Sequence, residues 1–264
     1  SIYIANVPIW MEELDLWKSF SERISTIYLP DRKRPMMPLS LSNCVCSLCE
    51  KVVRLAFAID ITIINGEIIG YKFENTYINV YKNHIYESKE LKKDDNYKLM
   101  FKVVDELSQI YKYTSKIKSS QELVSYMMIL MNYYTALEMI KHNNGIYRSV
   151  NFNSSTEAHA TLPEDVNNFL KIWNSSCGQY DLYDERKCHE MLQLESYIHC
   201  TSPIRRLVDL LNMARLQNNL RLVDYSTSFE TFEERWTSRL EYINTTMRAI
   251  RKIQSDCCLL EMCT

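Results

Sequence analysis

The sequence predicts an α+β fold, a mainly antiparallel sheet packed by several long helices, on three observations. Two β-branched runs, residues 52–64 and 67–81, meet at Asn65-Gly66, a dipeptide that favours a tight hairpin turn and so an antiparallel pair. Ser119, with Glu122 three residues on, forms a capping box that opens a largely apolar helix to about His142. The chain of 264 residues, 46% of them hydrophobic, is long enough for one large domain with a sizeable core.

The elements follow in order. Ile2 to Ala5 reads as a short strand. Met11 to Ile27 spaces Leu14, Trp17, Phe20 and Ile24 as a helix does, with acids early and Arg23 late, as the helix dipole favours. Tyr28 to Pro38 carries Pro30, Pro35 and Pro38 and is expected to be an extended loop, with Arg32, Lys33 and Arg34 clustered inside it. Tyr97 to Tyr111 places Leu99, Val103, Leu107 and Ile110 on a helical stripe, and Tyr113 to Lys118 reads as a linker. After the capped helix, Asn144-Gly145 makes the stop, and Ile146 to Arg148 returns as strand. Residues 151–160 read as polar loop, Pro163-Glu-Asp opens a helix to Trp173, and residues 174–184 are expected to be loop.

The stretch Tyr197 to Asp209 carries the chemistry. Thr201 and Ser202 suit a helix N-cap and Pro203 a first helical position, and Leu207, Leu210, Leu211 and Ala214 form the buried stripe beyond. Arg205 and Arg206 then fall in the first turn, where the dipole disfavours cations. An anion in front of that turn relieves the conflict, because free N–H groups and two guanidinium forks cradle a phosphate. Asp209 is spaced to hold one of those forks. Phe232 to Leu260 is expected to be one long helix with Trp236, Leu240, Ile243, Met247 and Ile250 inward, and Arg239, Arg248, Arg251 and Lys252 on a solvated face.

A net charge of −2 excludes a global basic field, so any nucleic-acid binding must be local. Nine cysteines, an odd count, imply reduced thiols and a cytoplasmic or other reducing compartment. The Cys44, Cys46, Cys49 cluster has no second pair to complete a zinc site, so packing accounts for it and no metal ligand is assigned. With no apolar run of 18 residues, no membrane partner is expected.

Thr201-Ser-Pro-Ile-Arg-Arg206, with Tyr197 before it and Asp209 after it, resembles the ribonuclease II/R (RNB domain) exoribonuclease family. His189, Leu192, Leu194 and Glu195 fit that family's His-Phe-Gly-Leu-Gly-Leu-Glu frame. Tyr28-Leu-Pro, Pro35-Met-Met-Pro38, Leu41-Ser42 and Cys46-Ser-Leu48 fit it as well, so the resemblance spans the chain from about residue 2 to 260. It implies an RNB-like domain over residues 1–264 that binds single-stranded RNA. Arg205 would stand at the scissile phosphate with Tyr28 beside it. Arg206, Thr201, Ser202, Tyr197, Arg32, Lys33 and Arg34 would contact the RNA.

The family's chemistry is Mg²⁺-assisted 3′→5′ hydrolysis. Its metal-binding aspartate loop lies about fifteen residues before the Ile4-Ala-Asn-Val7 strand, so those ligands are not expected in this chain, and Asn6 stands where the family has an acid. Ser125 and Tyr126 replace two glutamates, Met213-Ala214 replaces His-Arg, and the family's C-terminal OB barrel is not expected. The resemblance therefore implies an exoribonuclease-type domain that is inactive as this chain. The alternative is a catalytically inactive RNB-like RNA-binding, structural or assembly module, partnered by other subunits or by an N-terminal segment.

Overall fold

The computed structural model describes residues 1–113, 117–150, 163, 178–185, 189 and 192–263. A three-stranded antiparallel sheet has the order β1 (Ile2–Ala5), β4 (Val53–Ile64), β5 (Glu67–Asn79). Between β1 and β4 lie α1 (Val7–Glu13) and a two-residue hairpin, β2 (Ile27–Tyr28) with β3 (Lys33–Arg34). The β4–β5 register runs from Val53↔Asn79 to Ile64↔Glu67 with one irregularity at Thr62/Ile63. Its turn is the expected one, since Asn65 (φ 52°) and Gly66 (φ 80°) both take the positive φ that a type I′ hairpin needs.

Two long helices cover the sheet: α2 (Asp95–Ile110), capped by Asp94, and α3 (Ser120–Lys141), whose Ser119–Glu122 capping box is formed in full. By length and composition α3 could cross a membrane, yet 61% of its apolar window is buried within the fold. After α3, Asn143 (φ 52°) and Gly145 (φ 105°) turn the chain into β6 (Ile146–Ser149). Three more helices follow β7 (Gln179–Leu182): α4 (Leu207–Asn219), α5 (Thr227–Thr237) and α6 (Leu240–Cys263).

Two hydrophobic clusters meet at α4. Leu207, Val208, Leu210, Leu211 and Ala214 pack with α1, Trp17, Phe229, Phe232 and Trp236, whereas Met213 and Leu216 pack with Phe57, Ile59, Tyr126 and Met131. The helix is therefore buried on both sides, where the sequence pattern gave only one stripe.

Several expected elements differ. The helix over residues 11–27 is instead α1, starting earlier at Val7, and a separate 3₁₀ turn at Trp17–Ser19. Asp15, at φ 47°, breaks the helical path, while Trp17 and Ile24 are still buried. In α2 the buried residues are Val104 and Leu107, and Leu99 and Ile110 are exposed. Gln179–Leu182 is a strand paired with β6, a long-range partnership that no local pattern signals. The long final helix is two helices, broken where Ser238 caps α5 ahead of Leu240. The 113–118 linker is anchored at both ends, Tyr113 against the Tyr111, Tyr126 and Tyr133 rings and Ile117 in the core. The expected loop at 151–160 and the body of the helix at 163–173 lie outside the described residues.

Candidate nucleic-acid interface

The Thr201–Asp209 stretch does not start its helix at Pro203. Residues 203–205 form a turn in which the Arg205 and Arg206 N–H groups both reach Ser202 O at 3.0 Å. Arg206 is extended (φ −139°, ψ 128°) and bridges to Ser25, and α4 begins at Leu207. The two arginines therefore precede the helix, and the dipole places no anion in front of them. What replaces it is a tether. The Arg205 carbonyl accepts from Thr26 N–H at 3.0 Å and from Ser25 Oγ at 3.1 Å, and Leu207 N–H donates to Ile24 O at 2.9 Å. Thr26 Oγ1 in turn accepts the Met36 N–H at 3.0 Å.

Asp209 holds Arg206. Its Oδ2 lies 2.8 Å from Nε, and its Oδ1 accepts from Nη2 at 3.0 Å and from the Ser202 N–H at 2.7 Å. Asp209 is fully buried, and burial pushes its carboxyl up against the opposing pull of the Arg206 guanidinium and the Ser202 N–H. Burial also works against the Arg206 charge, but Asp209, with Tyr180 and Tyr197, outweighs it and holds the guanidinium above its ordinary range. The fork of Arg206 is thus spent inside the protein, with Nη1 also 3.3 Å from His199 Nδ1. Arg205, by contrast, is exposed.

Around Arg205 the fold gathers a cleft of about 380 Å³ lined by Tyr3, Thr26, Tyr28, Lys33, Ser42, Met128, Thr201 and Ser202 among others. Tyr28 is 44% exposed, the Lys33 ammonium sits 5.6 Å from its ring centroid, and its backbone N–H reaches Gln254 Oε1 on α6 at 3.3 Å. Thr201 and Ser202 are buried at the cleft floor. Of the expected RNA contacts, then, Arg205, Tyr28, Lys33, Thr201 and Ser202 share one cleft. Arg32 and Arg34 are exposed on the same hairpin without lining that cleft, and Arg32 is paired with Asp31 at 2.6 Å.

Tyr197 does not face the cleft. It is buried, its hydroxyl accepts from Asn132 Nδ2 at 2.9 Å, and burial pushes it up to about 12. It belongs to a ring cluster with His189 and His199, both drawn below the usual histidine range, chiefly by burial: His189 to about 4, His199 well below. Tyr197 and Arg206 therefore support the cleft from behind.

The donor set does not suit a magnesium ion. No three His, Cys, Asp or Glu side chains converge among the described residues. Asn6 is buried, donating to Asn75 Oδ1 at 2.8 Å and accepting from Gln217 Nε2 at 2.9 Å. Tyr126 points into the core with its hydroxyl on Tyr111 O at 3.0 Å, and Ser125 bonds back to Gln121 O at 2.8 Å, so neither replaces a carboxylate. At the cysteine cluster Cys46 is buried and its thiol is pushed up to about 12 by burial. A neutral thiol is a poor zinc ligand. Arg54 braces that segment through Ser47 O (3.0 Å) and Cys44 O (2.8 Å), a role the sequence did not announce. Tyr3 and Met128 were also missed as cleft residues. The period-two alternation of β1 could have placed Tyr3 opposite Ile2 and Ile4; nothing local marks Met128.

The RNB domain family matches residues 1–118 and 87–222. Ribonuclease R of Escherichia coli strain K12 is 25% identical over 283 aligned residues, covering 79% of this chain and 34% of that protein, so the chain spans about a third of it. Among solved structures, the apo form of Mycoplasma genitalium RNase R superposes with a TM-score of 0.75 at 18% identity, covering 97% of this chain and 51% of that one. Yeast Ssd1, described as a pseudonuclease, gives 0.70 at 12% identity, covering 92% and 38%. These likenesses show the fold, and they include both a ribonuclease and a protein described as a pseudonuclease.

Proposed function

The chain belongs to the RNB domain family, and we propose that it is an exoribonuclease-type domain seating single-stranded RNA in the Arg205–Tyr28 cleft without cleaving it by itself. The observation that carries this reading is the convergence of Arg205, Tyr28 and Lys33 in one cleft from segments more than 170 residues apart in sequence. An exposed guanidinium on a rigid turn gives a two-point hold on a phosphate, Lys33 adds a second cation, and Tyr28 offers a ring face to a base. Thr201 and Ser202 add hydroxyls at the floor. Arg32 and Arg34 extend the cationic rim for backbone contacts that carry no sequence preference.

RNB ribonucleases use Mg²⁺, which stabilises the attacking and leaving oxygens of a phosphodiester. The described side chains offer no ligand set for it, and Arg205 and Tyr28 cannot themselves generate a hydroxide nucleophile, so the described residues account for RNA capture and not for hydrolysis. The likeness to a pseudonuclease is in keeping with that division. The second reading, a structural or assembly module that uses only the fold, requires that the cleft hold no RNA.

The test is anisotropy of a 3′-labelled oligouridylate with this 264-residue chain, titrated with salt, alongside a product assay in Mg²⁺. Binding at low salt that weakens with salt, with no mononucleotide released, is expected. No affinity at low salt overturns the RNA reading in favour of the scaffold. Magnesium-dependent release of mononucleotides overturns the division between capture and hydrolysis.

A further inference from the structure

The cleft does not end at Tyr28 and Arg205. A second cavity of about 550 Å³, lined by Tyr3, Leu48, Ile78, Asn79, Val80 and Asn83, shares Tyr3 and Leu48 with the first. The strand period explains why Tyr3 stands at the junction. In β1, Ile2 and Ile4 pack into the sheet–helix core, so Tyr3 and Ala5 face the other way, and both line the first cavity. Their register partners on β4 are alanines, Ala58 and Ala56, which leave that face low around the ring.

Tyr3 is 44% exposed, and its side chain makes no hydrogen bond or ring contact among the described residues. On β5 Ile78 shares the face of Tyr3, whereas Asn79 pairs with Val53 and shares the opposite face with Asn75 and Phe73, so its amide is directed away from the ring. The other amide of the lining is committed: Asn83 donates from Nδ2 to Leu48 O at 3.0 Å and accepts the Glu50 N–H at 2.7 Å, which braces that wall. No side chain of this second cavity is charged. Its chemistry is therefore a ring face beside apolar walls, which suits a nucleobase and not a phosphate.

We propose that the second cavity is a base subsite, in which a nucleotide of single-stranded RNA stacks on Tyr3 against the apolar wall of Leu48, Ile78 and Val80. This rests on the reading of the first cleft as an RNA site. It makes the strand run from the Arg205 phosphate contact across Tyr3, and it gives the two cavities separable signatures, electrostatic at Arg205 and salt-independent at Tyr3.

The experiment compares wild type, Tyr3→Ala and Tyr3→Phe with a dinucleotide and with an oligouridylate of about ten nucleotides, each in a salt titration. Tyr3→Ala is expected to weaken the longer oligomer by about tenfold and the dinucleotide by clearly less, with the salt slope unchanged, and Tyr3→Phe to bind as wild type. If wild type binds the longer oligomer and Tyr3→Ala binds it equally well, the subsite is wrong and the reading of the first cleft stands. If Tyr3→Ala weakens both probes alike and lowers the melting temperature, Tyr3 is a packing residue and the subsite is again wrong. If wild type binds neither probe, both readings fall.

Discussion

The Thr26 N–H donates to the Arg205 carbonyl at 3.0 Å, and this contact joins two segments nearly 180 residues apart into one rigid edge of the cleft. Tyr28 lies two residues beyond Thr26 on the same strand edge. The relative placement of the guanidinium and the tyrosine ring is therefore set by backbone hydrogen bonds and not by the side chains themselves. Such a site keeps its geometry when either side chain is truncated, which makes mutation a clean probe.

Arg205→Ala is expected to weaken binding of short single-stranded RNA by about 1.5–3 kcal/mol, the range of a charged hydrogen bond, and to reduce the salt slope by about one. The exposed side chain carries no packing, so the melting temperature should hold. Leu210→Ala, fully buried between helices, should instead lose roughly 2–5 kcal/mol of stability first. Calorimetry beside salt-titrated anisotropy separates the two, and an Arg205→Ala protein that unfolds would show the arginine to be structural.

Asp209→Asn should destabilise by about 3–5 kcal/mol, because it leaves the Arg206 charge largely buried without its partner. The double change Asp209→Leu, Arg206→Met removes both charges and should cost less than the single one. Urea unfolding of the three proteins measures the difference, and a double variant less stable than Asp209→Asn would contradict the ion-pair account.

Acidification should reveal the buried histidines. The folded value of His189 lies near 4, below its unfolded value, so its neutral form contributes stability that is complete above about pH 6.5. That contribution is lost as the pH falls toward 4, and His199 acts in the same direction. Between pH 6.5 and 5 the wild type should take up protons on unfolding, and His189→Gln should reduce that uptake by up to about one. An unchanged slope of stability against pH would show that His189 is already solvated.

Chelation should leave the melting temperature unchanged, since the Cys44–Cys49 segment is held by Arg54 and by burial of Cys46. Stoichiometric zinc in the purified protein, with a lower melting temperature after chelation, would reverse this.

The sequence by itself determined the elements whose causes are local. The Asn65-Gly66 hairpin, the Ser119–Glu122 capping box and the buried Leu207, Leu210, Leu211 and Ala214 each follow from residues within a few positions of one another. It also determined the family, because Thr201 to Arg206 and Tyr28-Leu-Pro stand in a frame that runs along most of the chain. Tertiary structure decided everything that depends on a distant partner. The strand at Gln179–Leu182 exists because β6 pairs with it, and Arg206 is extended, delaying the helix to Leu207, because it bridges to Ser25. The same spacing that put two arginines before Asp209 could not say which one it would hold. The fold chose Arg206, because its extended backbone carries the side chain inward to the fully buried Asp209, whose enclosed carboxylate needs a charged partner, and that choice leaves Arg205 free at the cleft.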